Sequence, residues 1–151
     1  MLIDGEMALA LGSPTRSFST LATTSQGTNR GSQLSDQSEM GPVNSKMQYE
    51  KVNYYVQAGI DDGARLMTGG MRPEGAEFTK GYWIRPTVFA GVTPTMRIAR
   101  EEIFGPAMSV FKWSTLGEVI AIANGTEYGL TSSVWTRDVG TAMSVAKRMQ
   151  A

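Results

Sequence analysis

Seven consecutive residues, Arg100-Glu101-Glu102-Ile103-Phe104-Gly105-Pro106, gather carboxylates, an aromatic ring and a turn signal into one short stretch. Adjacent carboxylates are candidate general acids and bases. Glu is mostly exposed and Phe mostly buried, so setting them two residues apart forces an abrupt change of environment. The Gly-Pro pair marks a loop, where a rigid scaffold can present side chains to a ligand. The competing reading is an acidic helix end followed by a Phe of the ordinary core. An acid–base pair working on one substrate is a poor use of neighbouring residues. Their side chains point to opposite faces on a strand and diverge by about 100° on a helix.

Two absences narrow the chemistry further. The sequence holds no Cys, which excludes disulfides, thiolate nucleophiles and thiolate metal sites. It holds no His either, so the commonest general base and the commonest metal ligand are missing. Chemistry done by this chain unaided rests on carboxylates, Lys, Tyr, Ser or Thr.

The length of 151 residues suits one domain and a buried core. Fourteen basic residues balance fourteen acidic ones, which argues against nucleic acid or an anionic membrane as the main partner. No apolar run approaches the roughly 18 residues needed to span a bilayer. The start, Met1-Leu2-Ile3-Asp4-Gly5-Glu6, lacks the basic and apolar regions of a secretory signal. The absence of acids between Glu6 and Asp36, with Arg16 and Arg30 present, has something of an organellar transit peptide, but Asp4 and Glu6 count against it. A soluble, cytoplasmic protein is the expectation.

The elements that must position the stretch follow from periodicity. Residues 1–12 are mainly apolar and suit a short helix or strand. From Gly12 to Ser38 the chain is rich in Ser, Thr, Gly, Gln and Asn with sparse apolar residues, and reads as flexible or irregular. Ser45 and Gln48 form a capping box for a helix running to about Asp62, with Tyr49, Val52, Val56 and Ile60 on one face and Gly63 as its stop. Ala64–Thr68 suits a strand closed by Gly69-Gly70. Tyr82–Phe89 reads as a strand whose Pro86 places it at a sheet edge or a bulge. Thr93-Pro94 opens a short helix over Met96–Arg100. Ala107–Trp113 carries apolar groups on both faces, as a buried parallel strand does. Thr115 and Glu118 make a second capping box, with Leu116, Val119, Ile120 and Ala123 as its helical stripe. Leu130–Thr136 reads as another strand, and Asp138 caps a last helix carrying Ala142, Val145, Ala146 and Met149. Strand, helix, strand, helix implies an α/β sheet with a βαβ crossover. The pattern leads one to expect a further strand after the last helix.

Several of these segments carry a family pattern. Glu101-Glu102-Ile103-Phe104-Gly105-Pro106 resembles the Glu-Glu-Ile-Phe-Gly-Pro signature of the NAD(P)-dependent aldehyde dehydrogenase superfamily. Met40-Gly41-Pro42 with Gln48 matches that family's entry into a helix. Gly63-Ala64-Arg65-Leu66-Met67-Thr68-Gly69-Gly70, Gly81-Tyr82-Trp83-Ile84-Arg85-Pro86-Thr87-Val88 and Ala123-Asn124-Gly125-Thr126-Glu127-Tyr128-Gly129-Leu130 resemble further family segments, in the same order. The resemblance implies a partial aldehyde-dehydrogenase catalytic domain, an α/β fold with a mostly parallel sheet and flanking helices. It covers residues 40–151, after a poorly defined, flexible segment over 1–39.

The implied reaction is NAD- or NADP-dependent oxidation of an aldehyde to an acid. In that family the aldehyde is held as a hemithioacetal on a Cys, and the resulting thioester is hydrolysed by carboxylate-activated water. The resemblance makes Glu102 and Phe104 the cofactor-binding residues. Glu102 would accept hydrogen bonds from the nicotinamide-ribose hydroxyls, and Phe104 would pack near the nicotinamide. Glu101 receives no family role and is expected to be solvated or salt-bridged.

The departures concern catalysis. Alignment on Gly5-Glu6-Met7-Ala8 puts Ala8 at the nucleophile position, and alignment on Pro14-Thr15-Arg16 puts Leu11 there. Neither is a Cys. The general-base Glu motif and the dinucleotide-binding domain have no counterpart in this sequence, and Gly12–Ser38 does not resemble the family's helix there. No catalytic residue and no metal ligand is assigned. Three readings follow: a family fragment inactive on its own; a non-catalytic module that forms homo-oligomers or associates with a full-length relative through an open sheet edge; and a hydrolase using Glu101 and Glu102.

Overall fold

The longest helix begins where the sequence supplies its cap. Ser45 has extended backbone, and its hydroxyl accepts from the Gln48 backbone amide at 3.2 Å, so helix α2 runs over Lys46–Asp61. It ends in a Schellman motif, with Gly63 N–H bonded to Ile60 O and Ala64 N–H to Gly59 O. Gly63 sits at φ 91°, which an L side chain rarely adopts. The buried face carries Val52, Tyr55, Val56 and Gly59. Ile60, expected on that face, is 42 % exposed.

The computed structural model describes residues 2–3, 6–8, 18–32 and 34–150, with side chains from Thr23 onward. In chain order the other elements are β1 (Leu2–Ile3), β2 (Glu6–Ala8), α1 (Phe18–Gly27), β3 (Arg65–Thr68), β4 (Thr87–Ala90), α3 (Arg97–Arg100), β5 (Ala107–Lys112), α4 (Leu116–Ala123) and α5 (Val139–Ala146). The strands form one sheet in the order β1-β2-β5-β4-β3.

The α/β class stands, but the strand directions differ from the expected mostly parallel arrangement. Only β4 and β5 run parallel, with Thr87 opposite Ala107 and Phe89 opposite Ser109. The β3–β4, β2–β5 and β1–β2 ladders are antiparallel. Connectivity accounts for this. A crossover through α3 joins β4 to β5 and permits parallel pairing, whereas only two residues separate β1 from β2, too few for the crossover that parallel pairing needs.

Alternation along β4 and β5 builds the core. Phe89 and Phe111, both at most 1 % exposed, join Val52, Val56, Ile98, Val119 and Val145 in the main cluster. Burying each ring is worth about 1.5–3 kcal/mol. The next residues along, Val88 and Val110, form a second cluster with Met67 and Met108.

Four further expectations change. Within Gly12–Ser38, residues 18–27 are helical rather than irregular, and α1 packs against β3 and β4. Weak local propensity is overridden by that tertiary contact. Residues 12–17 lie outside the described residues, as does much of the 1–12 segment. Residues 82–86 precede β4 without joining its ladder, so Pro86 stands just before a central strand rather than at an edge or a bulge. The turn at Pro94 does not open the helix. Instead α3 starts at Arg97, and its free Arg97 N–H is satisfied by the Asp62 carboxylate at 2.8 Å. Leu130–Thr136 is not a strand and shows a lone bridge residue at Val134. Val134 packs on the core, while Leu130 is 93 % exposed and Trp135 45 %. The chain after α4 therefore packs on the core at Val134 and adds no strand to the sheet among the described residues.

The two remaining caps form as expected. Thr115 Oγ accepts from Glu118 N–H at 3.2 Å, and the Glu118 carboxylate reaches back to Ser114 N–H at 2.8 Å. Asp138 caps α5 through Thr141 N–H at 2.6 Å. Among the described residues no helix is long and apolar enough to cross a membrane.

Candidate functional site

The Glu101–Pro106 stretch is the loop between α3 and β5, and both ends are fixed before the loop begins. The buried Ser109 hydroxyl of β5 donates to Ile98 O of α3 at 2.9 Å, tying the two elements together. Beside it at the start of α3, Asp62 anchors Arg97 to the end of α2. The acidic helix-end reading holds in part, since Glu101 is the C-cap residue of α3. The core-Phe reading does not hold, because Phe104 is 72 % exposed. The residue that turns inward is Ile103, which belongs to the main core.

One face of α2 grips this loop at three points spaced three and four residues apart. The Gln48 side-chain amide donates to Ile103 O at 3.2 Å and also to Phe104 O. Val52 fills the space beside Gly105 so closely that a Cβ there would lie 2.4 Å from its Cγ2. The Tyr55 hydroxyl donates to the Glu101 carboxylate at 2.9 Å. That hydrogen bond, followed by burial, raises the Tyr55 phenol above its ordinary value, because a phenolate would face the carboxylate. Lys51 lies 5.9 Å from the same ring.

The backbone reflects the grip. Phe104 has φ 53°, and among the described residues it is the one non-glycine with positive φ. A left-handed phenylalanine costs about 1–2 kcal/mol and persists where its surroundings hold it. Here the holder is Gln48. Spacing could not reveal this role, because the capping-box pattern assigns the Gln48 amide to its own helix end. The family's own use of Gln48 at the helix entry was the available signal.

The two carboxylates therefore part company. Glu101 is exposed to solvent as expected, makes no salt bridge among the described residues, and is also turned to α2 by the Tyr55 hydrogen bond. Glu102 is exposed and makes no hydrogen bond or ion pair among the described residues. An acid–base pair sharing one substrate is not what this geometry provides. Glu101, Glu102 and Phe104 all line an open cleft of about 760 Å³, and of the two acids Glu102 is the one without a hydrogen-bond partner. Tyr128, Val134 and Met149 also line it. The segment bearing Met149 is held by Asn124 at the end of α4, whose side-chain amide donates to Arg148 O at 2.7 Å and accepts from Gln150 N–H at 3.0 Å. The cleft thus offers an unpaired carboxylate and an exposed aromatic face on a fixed loop. Of the two positions considered for a nucleophile, Ala8 lies in β2 opposite Val110, and Leu11 lies outside the described residues.

Comparison with known proteins identifies the family. The family model "Aldehyde dehydrogenase family" matches residues 15–151, so the match extends well upstream of residue 40 and takes in α1. Betaine aldehyde dehydrogenase of Mesorhizobium japonicum is 51 % identical over 121 residues, covering 80 % of this chain and 25 % of that protein. Among solved structures, betaine aldehyde dehydrogenase of Staphylococcus aureus in complex with NAD+ superposes with a TM-score of 0.83 at 32 % identity, over 87 % of this chain and 27 % of that one. Aldehyde dehydrogenase of Mycobacterium tuberculosis complexed with NAD+ gives 0.80 at 40 % identity, over 85 % and 26 %. The chain therefore spans about a quarter of the length of the relatives it matches, and its α/β fold is part of theirs. The chain belongs to the aldehyde dehydrogenase family.

Proposed function

We propose that the chain supplies the nicotinamide-ribose side of an aldehyde dehydrogenase cofactor site and does not oxidise aldehydes by itself. The observation that carries this reading is the contrast between the two acids. Glu101 is engaged by Tyr55, while Glu102 stands unpaired beside an exposed Phe104 on one fixed loop. A carboxylate without a partner can accept from both hydroxyls of a vicinal diol. An exposed ring next to it offers an apolar surface for a flat heterocycle and excludes water there. These residues fit NAD or NADP, which would take up the hydride when bound. Within the chain, Glu102 orients the ribose and Phe104 shields the ring.

The absence of Cys supports the second half of the reading. The family's reaction needs a thiol to hold the acyl group, and no side chain here can do so. A chimera tests both halves. Residues 40–150 of this chain replace the matching portion of the Mesorhizobium relative, which provides everything else. The isolated chain is expected to show no aldehyde-dependent NADH formation, whereas the chimera shows it. Glu102→Gln in the chimera is expected to raise KM for NAD about tenfold, the loss of roughly one charge-assisted hydrogen bond. Turnover by the isolated chain, or an unchanged KM in the Glu102→Gln chimera, would overturn the reading.

A further inference from the structure

We propose that helix α2 is the positioning element of the cofactor-facing loop, with Gln48 and the Tyr55–Glu101 pair as the positioning residues for Glu102 and Phe104. The inference rests on the assignment of Glu102 and Phe104 made above and deepens it.

Three observations on different chemistry converge on the same helix face. Gln48, Val52 and Tyr55 stand at positions i, i+4 and i+7, which one side of an α-helix brings into line. Each contacts a different part of the loop. Tyr55 takes the side chain at its start, Gln48 the two carbonyls at its middle, and Val52 the glycine at its end. The contacts leave out Glu102 and the Phe104 ring, so the helix fixes the backbone and leaves these two side chains to the cleft.

The division also explains why two adjacent acids are present. A single carboxylate could not both anchor the loop and remain free for a ligand. With Glu101 held by Tyr55, the extended backbone at that residue, φ −112° and ψ 147°, turns the next side chain away from α2. Gln48 then fixes the peptide after Ile103, whose burial prevents the loop from rotating about its own axis. The left-handed Phe104 follows from these two constraints and from the close approach at Gly105, where only a residue without Cβ fits against Val52. Positioning of this kind matters because a binding group misplaced by about 1 Å loses much of its effect.

Backbone ¹⁵N relaxation on the intact chain tests the proposal. The amides of residues 102–105 are expected to have order parameters near those of a rigid backbone, about 0.85, falling below about 0.6 in Gln48→Leu while α2 and the core stay rigid. Gln48→Glu supplies a readout that a merely structural role would not move. A protonated carboxyl can donate to one of the two carbonyls, and a carboxylate can donate to neither. The loop of Gln48→Glu is therefore expected to be rigid at acid pH and mobile at neutral pH, and the wild type rigid at both. This comparison is made within one folded protein, so it stands even if Gln48→Leu fails to fold. Order parameters that ignore both substitutions would overturn the proposal. The chimera separates the two readings. A KM for NAD that rises with Gln48→Leu as it does with Glu102→Gln supports both. A Gln48-dependent loop with a KM unmoved by Glu102→Gln would remove the cofactor assignment and leave the positioning role standing.

Discussion

The Gln48 side-chain amide donates to the carbonyl of Phe104, 56 positions further along the chain. Phe104 is held in the left-handed region at φ 53° with its ring 72 % exposed. Its side chain contributes little burial to offset the backbone cost, so the conformation serves the loop's outward face. Asn adopts this region more readily than Phe. Phe104→Asn is expected to stabilise the chain by about 0.5–1 kcal/mol in urea denaturation, a share of the left-handed penalty. The same substitution is expected to weaken NAD contact in the chimera, which sets stability against function at one residue.

Gly105 carries a different constraint. An added methyl would meet Val52 Cγ2 at 2.4 Å, and Val52 is fully buried and cannot move aside. Gly105→Ala is expected to cost about 1–3 kcal/mol, the range for overpacking a filled core. Adding Val52→Ala should recover part of that loss, so the double variant is more stable than the sum of the single changes. Additive effects in a double-mutant cycle would show that the two residues do not press on each other.

The Tyr55–Glu101 hydrogen bond has a signature in alkali. Because the folded phenol titrates above the unfolded one, the pair's contribution is fully present below the unfolded value of about 10 and is lost as pH rises through the folded value. Glu101→Gln should bring Tyr55 back toward that ordinary value, observed as tyrosinate absorbance at lower pH than in the wild type. A titration unchanged by Glu101→Gln would mean that burial alone sets it.

Asp138 works in the opposite direction. Its carboxylate accepts from Thr141, whose side chain and backbone both hold the carboxyl below its ordinary value. The cap's contribution to α5 is therefore present above the unfolded value of about 3.9 and fades as pH falls toward the folded one. Asp138→Asn is expected to retain the cap and abolish this pH dependence, with α5 amide shifts as the measurement. Asp138→Ala should fray the first turn of α5 at every pH.

Much of the fold was legible because its signals are local. Ser45, Gly63, Thr115 and Asp138 act on neighbours within a few residues, and each forms as the spacing predicts. Where the sequence reading fails, a distant partner decides. Residues 18–27 become helical where they meet β3 and β4, Arg97 is capped by Asp62, and residues 130–136 find no place in the described sheet. The candidate site divides in the same way. Glu102 and Phe104 follow from their motif and occur together on the cleft wall. The grip of Gln48, Val52 and Tyr55 depends on how α2 crosses a loop some fifty residues later, which no spacing records.

The clasp at Asn124 has a consequence for how the protein ages. Asn124 is followed by Gly125, the pairing in which a side-chain amide is most readily lost to hydrolysis through a cyclic imide. In this fold both ends of that amide are occupied, one by Arg148 O and the other by Gln150 N–H. Loss of ammonia leaves the cyclic imide, and water opens it to an aspartate or isoaspartate, whose carboxylate has nothing to donate to Arg148 O. A slow chemical change at one position would then loosen the part of the cleft lined by Met149 and Gln150, while the loop bearing Glu102 and Phe104 stayed in place.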